Sequence, residues 1–518
     1  MKPVTSRRFW LACALCTALA GCVTVGPDFK QPDVTLEDQW FESLPPSAQA
    51  TPAAEAAWWK AFNDPVLTAL EQRAHERNIS IQLAGLNVLK ARAQLWISDE
   101  NLLPQQGGVS VGANHINSSG VGPIPPAHLW AEHAKSNASW EIDFWGKYRR
   151  QIESDQAALR SSDAAYDNAL VSLFGNVANA YIDLRALERR IVIAQQNLVS
   201  QRTSLDLTKA RFKRGSASQL DVEQAATLVA ETEAQIPPLI KGRAQDRDTL
   251  ALLLSDTPEA IEAMLKGSSG IPVAPTQIDA GIPADLLRRR PDVRQAALNA
   301  ASQSALIGVD QAKLYPSLSL TGLLAASSGE QHGLGLTSWG TKTIGLFSAS
   351  VSMPIFNRGQ LKNAVRIQDA AFQEAVLNYQ NTVLQAQKDV EDAIANLRTT
   401  LDALDATARA AAASQRALRL ANAQYRAGKV TYDTVLDSSR SLLHDDDSLA
   451  QYQGQAALAV VQLYIALGGG WEVAKDQPVV SERIAKEMAQ RTDWGRLIDP
   501  PKGSSFARTS GDQIETGK

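Results

Sequence analysis

Apolar residues recur every seven positions along two long stretches of the 518-residue chain. The first ladder is Leu170, Val177, Leu184, Ile191, Leu198, Leu205 and Phe212, and the second is Val383, Val390, Leu397, Leu404, Ala411, Leu418 and Tyr425. A strict heptad keeps one seam facing a partner helix only when the helices supercoil left-handedly, so both stretches read as coiled-coil helices. Interleaved positions are small or mixed (Leu173, Ala180, Leu187, Ala194; then Ala386, Ala393, Thr400), which lets neighbouring helices approach closely. No proline falls between Pro126 and Pro237 or between Pro354 and Pro478, and Gly175 is the only glycine in 147–214. At 1.5 Å per residue, 147–213 would reach about 100 Å, far beyond one globular domain.

The two ladders share an offset of 213 residues, and so do their ends: Phe212-Lys-Arg-Gly215-Ser-Ala-Ser218 aligns with Tyr425-Arg-Ala-Gly428-Lys-Val-Thr431. Upstream, Leu103-Pro104 before GGVSVGA aligns with Tyr315-Pro316 before SLSLTG at an offset of 212. Agreement of markers more than a hundred residues apart indicates a duplication, with 61–270 and 271–470 as the two repeats. The halves differ at Pro237-Pro238, which should kink the first returning helix and has no counterpart in the second.

A period of two precedes each long helix. In 137–144, Asn137, Ser139, Glu141 and Asp143 alternate with Ala138, Trp140, Ile142 and Phe144; in 347–353, Phe347, Ala349, Val351 and Met353 alternate with serines. With 107–117 and 317–325 these make two hairpins of about the length a tilted membrane strand needs. Four strands cannot close a barrel and an open edge is not tolerated in lipid, so other copies must complete it. Three chains would supply twelve strands, an even number in the known range. Trp130, Trp140 and Trp145 suit an interfacial aromatic belt. Taken alone, the same patterns also fit a soluble antiparallel coiled coil with half-buried hairpins.

The N-terminus adds a compartment. Lys2, Arg7 and Arg8 precede the apolar run 9–20, a secretory signal over 1–21. It ends in Leu19-Ala20-Gly21-Cys22, which resembles the bacterial lipobox, so Cys22 is expected to be acylated as the first mature residue and to anchor the segment 22–60. Val23 stands where an aspartate would favour inner-membrane retention. Cys13 and Cys16 leave with the signal, which rules out an intrachain disulfide and a cysteine metal site. Formal charge is −4 for the whole chain and −7 without residues 1–21, a balance that does not suggest nucleic acid. No stretch approaches the roughly 18 apolar residues of a membrane helix, so any span must be made of strands.

The sequence resembles the TolC-like outer membrane factors, specifically their NodT/OprM-type lipoprotein branch. The resemblance rests on LAGCVTVGPDF at 19–29, EIDFWGKYRRQI at 141–152, IPADLLRRRPDVR at 282–294, AKLYPSLSLTG at 312–322 and PIFNRGQL at 354–361, and with the two turn motifs spans nearly the whole chain. It implies a mostly α fold with a small membrane β component: coiled-coil helices forming a periplasmic α-barrel, plus a transmembrane β-barrel completed by trimerisation, four strands per chain. It further implies a passive efflux duct, a homotrimer held in outer-membrane lipid, working with a periplasmic adaptor protein and an inner-membrane transporter. No cofactor is expected beyond covalent lipid on Cys22.

Gly215 and Gly428 end the long helices, and Ser218 and Thr431 suit the N-caps of the returning ones. The resemblance makes these turns the adaptor-contact tips, with Phe212, Gly215, Ser218, Tyr425, Gly428 and Thr431 as the contact candidates. It also places acidic gate residues just beyond, here Asp221, Asp433 and Asp437. Ser218-x-x-Asp221 also reads as a capping box, and Asp433 would sit in a first helical turn, where the macrodipole favours an anion. Asp437 lies past the cap, and Asp433 with Asp437 is a like-charge i,i+4 pair that destabilises an isolated helix. A local rule broken there points to function. Asp437 stands where the family carries its gate aspartate, whereas Asp433 replaces an apolar residue.

His444-Asp445-Asp446-Asp447 is metal-like only in composition, since four adjacent helix residues point in different directions, and reads as a solvated face. Arg288-Arg289-Arg290 reads as structural pairing. The chain carries no phosphate loop with lysine and no HExxH, so no enzyme is expected. The competing classes are a periplasmic adaptor lipoprotein, which would carry one coiled-coil hairpin between soluble β-domains, and a type I protein-secretion duct. Residues 471–518 should wrap the outside and then fray.

Overall fold

The computed structural model describes residues 23–34, 40–42, 48–49, 56–118, 127–268, 270–274, 278–279, 288–333 and 336–500. The two halves share one order, helix, two strands, long helix and returning helix, to which the first adds a helix at either end. The first runs α1 (Pro65–Arg77), α2 (Ile79–Glu100), strands β1 (Gln106–Ser118) and β2 (Ala127–Ile142), the long α3 (Lys147–Lys213), the returning α4 (Gln219–Leu254) and the short α5 (Pro258–Leu265). The second runs α6 (Pro291–Ala312), β3 (Ser317–Gly333), β4 (Leu336–Ser352), the long α7 (Arg358–Arg426) and the returning α8 (Tyr432–Ala466). A closing helix, α9 (Glu482–Arg491), follows.

The long helices have the span that the heptads imply: α3 has 67 residues and α7 has 69, each about 100 Å. Of the second ladder, Val383, Val390, Leu397, Ala411, Leu418 and Tyr425 are buried and Leu404 is half-buried. Along α3 the ladder is buried at Leu170, Val177, Leu184 and Leu198, and its last rung, Phe212, is exposed. Gly175 lets α8 pack closely on α3, since a Cβ there would meet Ile465 Cδ1 at 2.3 Å.

The four long strands form one antiparallel sheet in the order β1-β2-β3-β4, and a separate two-residue parallel pair joins Ala48–Gln49 to Ile278–Asp279. Ser139 faces Gln106 across one pair and Thr321 across the next, and Ser317 faces Ser352. Strands of 13 to 17 residues exceed the predicted stretches, because alternation weakens toward the hairpin ends while backbone pairing continues. At its C-terminal end β2 stops at Ile142, short of the predicted Phe144. Asp143 instead accepts from the Tyr148 and Arg149 amides and starts α3.

Helices continue the sheet as four pillars. Asn78 Nδ2 donates to Leu253 O at 2.8 Å, stacking α2 on α4 end to end. The pillar order is α2/α4, α3, α6/α8, α7, since α3 packs on both stacked pillars and α7 packs on α6 and α8. The main apolar core gathers where α1, α3, α8 and the chain around Trp58 and Trp471 meet. Pro237 and Pro238 lie inside an uninterrupted α4, so the expected kink is not a break in the helix. Among the described residues no helix is long and apolar enough to cross a membrane.

The first and last described segments pack on this frame; residues 1–22 and 501–518 lie outside the described residues. Residues 471–500 cover the outside, with Arg92 donating to the carbonyls of Leu497 and Ile498, and Gly85 gives way to the Val479 backbone. Next to Cys22, which itself lies outside the described residues, Val25 N donates to Trp145 O and buried Arg150 donates to Val25 O, Gly26 O and Asp28. The segment that follows the expected lipid is thus held at the junction of sheet and helix.

Candidate functional site

At the ends farthest from the sheet, α3 and α7 terminate in the same turn. Gly215 N donates to Phe212 O and Ser216 N to Arg211 O, and Gly428 N donates to Tyr425 O and Lys429 N to Gln424 O. These paired bonds are the Schellman arrangement, which requires a left-handed residue after the helix. Gly215 and Gly428 supply it at φ 73° and 71°.

The returning helices begin differently. Ser218 Oγ accepts from Asp221 N at 3.1 Å while the Asp221 carboxylate accepts from Ser218 N at 2.8 Å, a complete capping box. Asp221 is therefore committed to its own helix start. Thr431 occupies the N-cap position with extended backbone but makes no side-chain cap hydrogen bond, contrary to the expectation for it. Asp433 lies in the first turn of α8 and is exposed, and Asp437 is exposed one turn further on. Neither carboxylate makes an ion pair or hydrogen bond within the described residues.

Sequence reading missed what joins the two tips. Arg211 Nη1 donates to Tyr425 O at 2.7 Å, and its guanidinium lies 4.4 Å from the centre of the Tyr425 ring. Tyr425 meets Tyr432 edge-on at 5.6 Å inside a small apolar cluster with Ala225, Leu228, Val435 and Leu436. Burial pushes the Tyr432 hydroxyl pKa up. Arg440 reaches Glu231 at 3.5 Å, linking α8 to α4 below the turn. Nothing in a heptad pattern announces such a clamp, because Arg211 contacts a residue 214 positions away. Phe212 stays outside it, 42% exposed.

Other candidate clusters resolve into struts. Arg190 holds Asp447 through two bonds at 2.7 and 3.0 Å, and Asp445 accepts from Ser414, so 444–447 is not simply a solvated face. No metal-holding group of three or more His, Cys, Asp or Glu occurs within the described residues. Buried Arg290 pairs with Asp292 and donates to Ala466 O at the α8 C-terminus, the structural pairing expected of it. Trp140 and Trp145 donate to Leu102 O and Pro316 O where sheet meets helix. Trp130 lies ten residues up β2 from Trp140, about 33 Å along the strand, so the tryptophans sit at two levels rather than in one belt.

Helical pillars some 100 Å long, ending in a sheet whose two edges are open, define an outer-membrane channel assembled from several chains. The chain belongs to the outer membrane efflux protein family, whose model matches residues 70–255 and 282–469. It is 33% identical over 485 residues to nodulation protein T of Rhizobium leguminosarum bv. viciae, covering 93% of this chain and 97% of that protein. It is 32% identical over 450 residues to the pyoverdine export outer membrane protein OpmQ of Pseudomonas putida, covering 84% and 92%. The outer-membrane channel OprN has the same fold at a TM-score of 0.79 and 29% identity, covering 86% of this chain and 99% of that one. The open state of the Neisseria gonorrhoeae MtrE outer membrane channel matches at 0.73 and 26%, covering 86% and 98%. The molecule is thus a TolC-like efflux channel of the outer membrane, with a large periplasmic portion. Its family is one of ducts rather than enzymes.

Proposed function

We propose that three copies of this chain form a passive duct for small molecules, held in the outer membrane by the sheet and by lipid on Cys22. A periplasmic adaptor, itself bound to an inner-membrane transporter, docks on the Gly215 and Gly428 turns and opens the entrance. The observation that carries the gate is the exposed pair Asp433 and Asp437 one turn inside the second tip, without an ion pair among the described residues although the pair disfavours its own helix. Threefold rings of these acids constrict the entrance and attract cations. Asp221, held in its capping box, contributes less.

Single-channel recording of the purified protein in planar bilayers tests the gate. Asp437→Ala should raise conductance and weaken cation preference, and Asp433→Ala should do so less. Conductance and selectivity unchanged in both variants would remove the gate assignment. Replacing Gly428 by tryptophan should abolish crosslinking to the adaptor while trimers persist; crosslinking at the parental level would overturn the docking role.

A further inference from the structure

A cavity of about 270 Å³ lies where α4 and α8 flank α3, lined by Asp183 and Arg190 of α3, Asp246 of α4, and Gln451 and Gln455 of α8. Two glycines bring the flanking helices close: a Cβ on Gly242 would meet Leu187 Cδ1 at 3.0 Å, and one on Gly454 would meet Ala186 Cβ at 2.9 Å. Neither Asp183 nor Asp246 makes an ion pair or hydrogen bond among the described residues. Arg190, the cation on that wall, is engaged by Asp447 through bonds at 2.7 and 3.0 Å.

The packing of α1 and α5 fixes which way the cavity faces. The wall of the tube is one pillar thick, and α1, α5 and residues 471–500 stack as a belt on one side of it. Twelve pillars spaced about 8–10 Å apart enclose a lumen of about 12 Å radius, too narrow for three such belts, so the belt lies outside. Tyr181 donates to Asp64, and Arg185 to Leu265 O and Ser268 O, so both point into the belt. At about 100° per residue, Asp183 lies roughly 160° round α3 from each of them. On α8, Tyr464 stacks on Trp58 in the belt, and Gln455 and Gln451 lie about 180° and 140° round from it. Arg243 and Arg247 pair with Glu262 of α5 on the outer side of α4, and Asp246 turns from them toward α3. The cavity therefore opens on the lumen, about 45 Å above the end of α3 at Lys213.

We infer that Asp183 and Asp246 of the three copies form a second acidic ring in the duct wall, at the level of the belt, which favours cations and is switched off by protons. The inference rests on the trimeric duct proposed above and adds a selectivity ring separate from the tip. Like charges in a low-dielectric wall focus their field into the lumen. Burial, and then the charge of Asp183, push the Asp246 pKa to about 6, and burial pushes Asp183 up as well. The neighbouring cations are all engaged elsewhere. Arg190 holds Asp447, Arg243 and Arg247 hold Glu262, and Arg73 and Arg77 of α1 hold Asp256 beyond the end of α4. From α8 the pair meets only the uncharged Gln451 and Gln455 within this cavity. As pH falls through about 6, Asp246 takes up a proton and the ring loses charge.

Reversal potentials of the full-length channel in planar bilayers, under a potassium chloride gradient, test the ring. At about 10 mM salt the screening length of about 30 Å exceeds the lumen radius. There the preference of the parent channel for potassium over chloride should fall roughly twofold or more between pH 7.5 and pH 5, with a midpoint near the Asp246 pKa. At about 1 M salt, where the screening length is about 3 Å, that step should vanish. Asp246→Asn should show the low preference at both pH values, and Asp246→Glu should keep the step. Asp183→Asn should move the midpoint down, because the repelling charge is gone. Asp437→Ala at the tip should lower the preference at both pH values and leave the step in place. A conducting channel without a step, an undiminished step in Asp246→Asn, or a step abolished by Asp437→Ala overturns the ring and leaves the duct standing. A chain that forms no conducting oligomer overturns both.

Discussion

Gly428 has no heavy atom within 4 Å of where a Cβ would stand, so its requirement is conformational rather than steric. Gly428→Ala should cost about 1–2 kcal/mol through the left-handed backbone alone, seen as faster amide exchange at 425–432 with the fold unchanged. Asp246 on α4 and Asp183 on α3 line one cavity of about 270 Å³ with Gln451 and Gln455. Burial, and then the charge of Asp183, push the Asp246 pKa to about 6. A carboxyl whose folded pKa is raised contributes stability at low pH that is lost as pH rises through the folded value. Asp246→Asn should therefore be neutral near pH 4 and stabilising at pH 7.5. A melting difference that shrinks between those values would count against this account.

At the scale of elements, the tip is two helical hairpins held by one arginine. Arg211→Ala removes both a charge-assisted bond to a carbonyl and a cation–π contact, together about 2 to 4 kcal/mol. Amide protection should fall at both turns at once, whereas a purely local role would loosen only 211–218. The capping difference has its own consequence: Ser218→Ala should destabilise the start of α4 by about 1 kcal/mol, while Thr431→Ala, with no cap bond to lose, should leave α8 nearly unchanged. The prolines of α4 show the limit of a local rule. They delete two backbone bonds, but packing along α3 holds the helix through them.

At the scale of the molecule, the lipid proposed on Cys22 would be an attachment independent of the sheet. Cys22→Ser should lose radiolabelled palmitate yet remain a trimer in the outer-membrane fraction, because the closed barrel spans the bilayer by itself. The sequence alone determined the duplication, the two heptad helices and their common length, since period and proline spacing are properties of a linear string. It also located the turns at Gly215 and Gly428, where only glycine takes a positive φ without strain. Tertiary structure decided what depends on residues far apart in the chain. The Arg211–Tyr425 clamp, the Arg190–Asp447 strut and the closed capping box at Asp221 all required distances. So did the junction that stacks α2 on α4, because the rise of a helix is legible in sequence but its end-to-end partner is not.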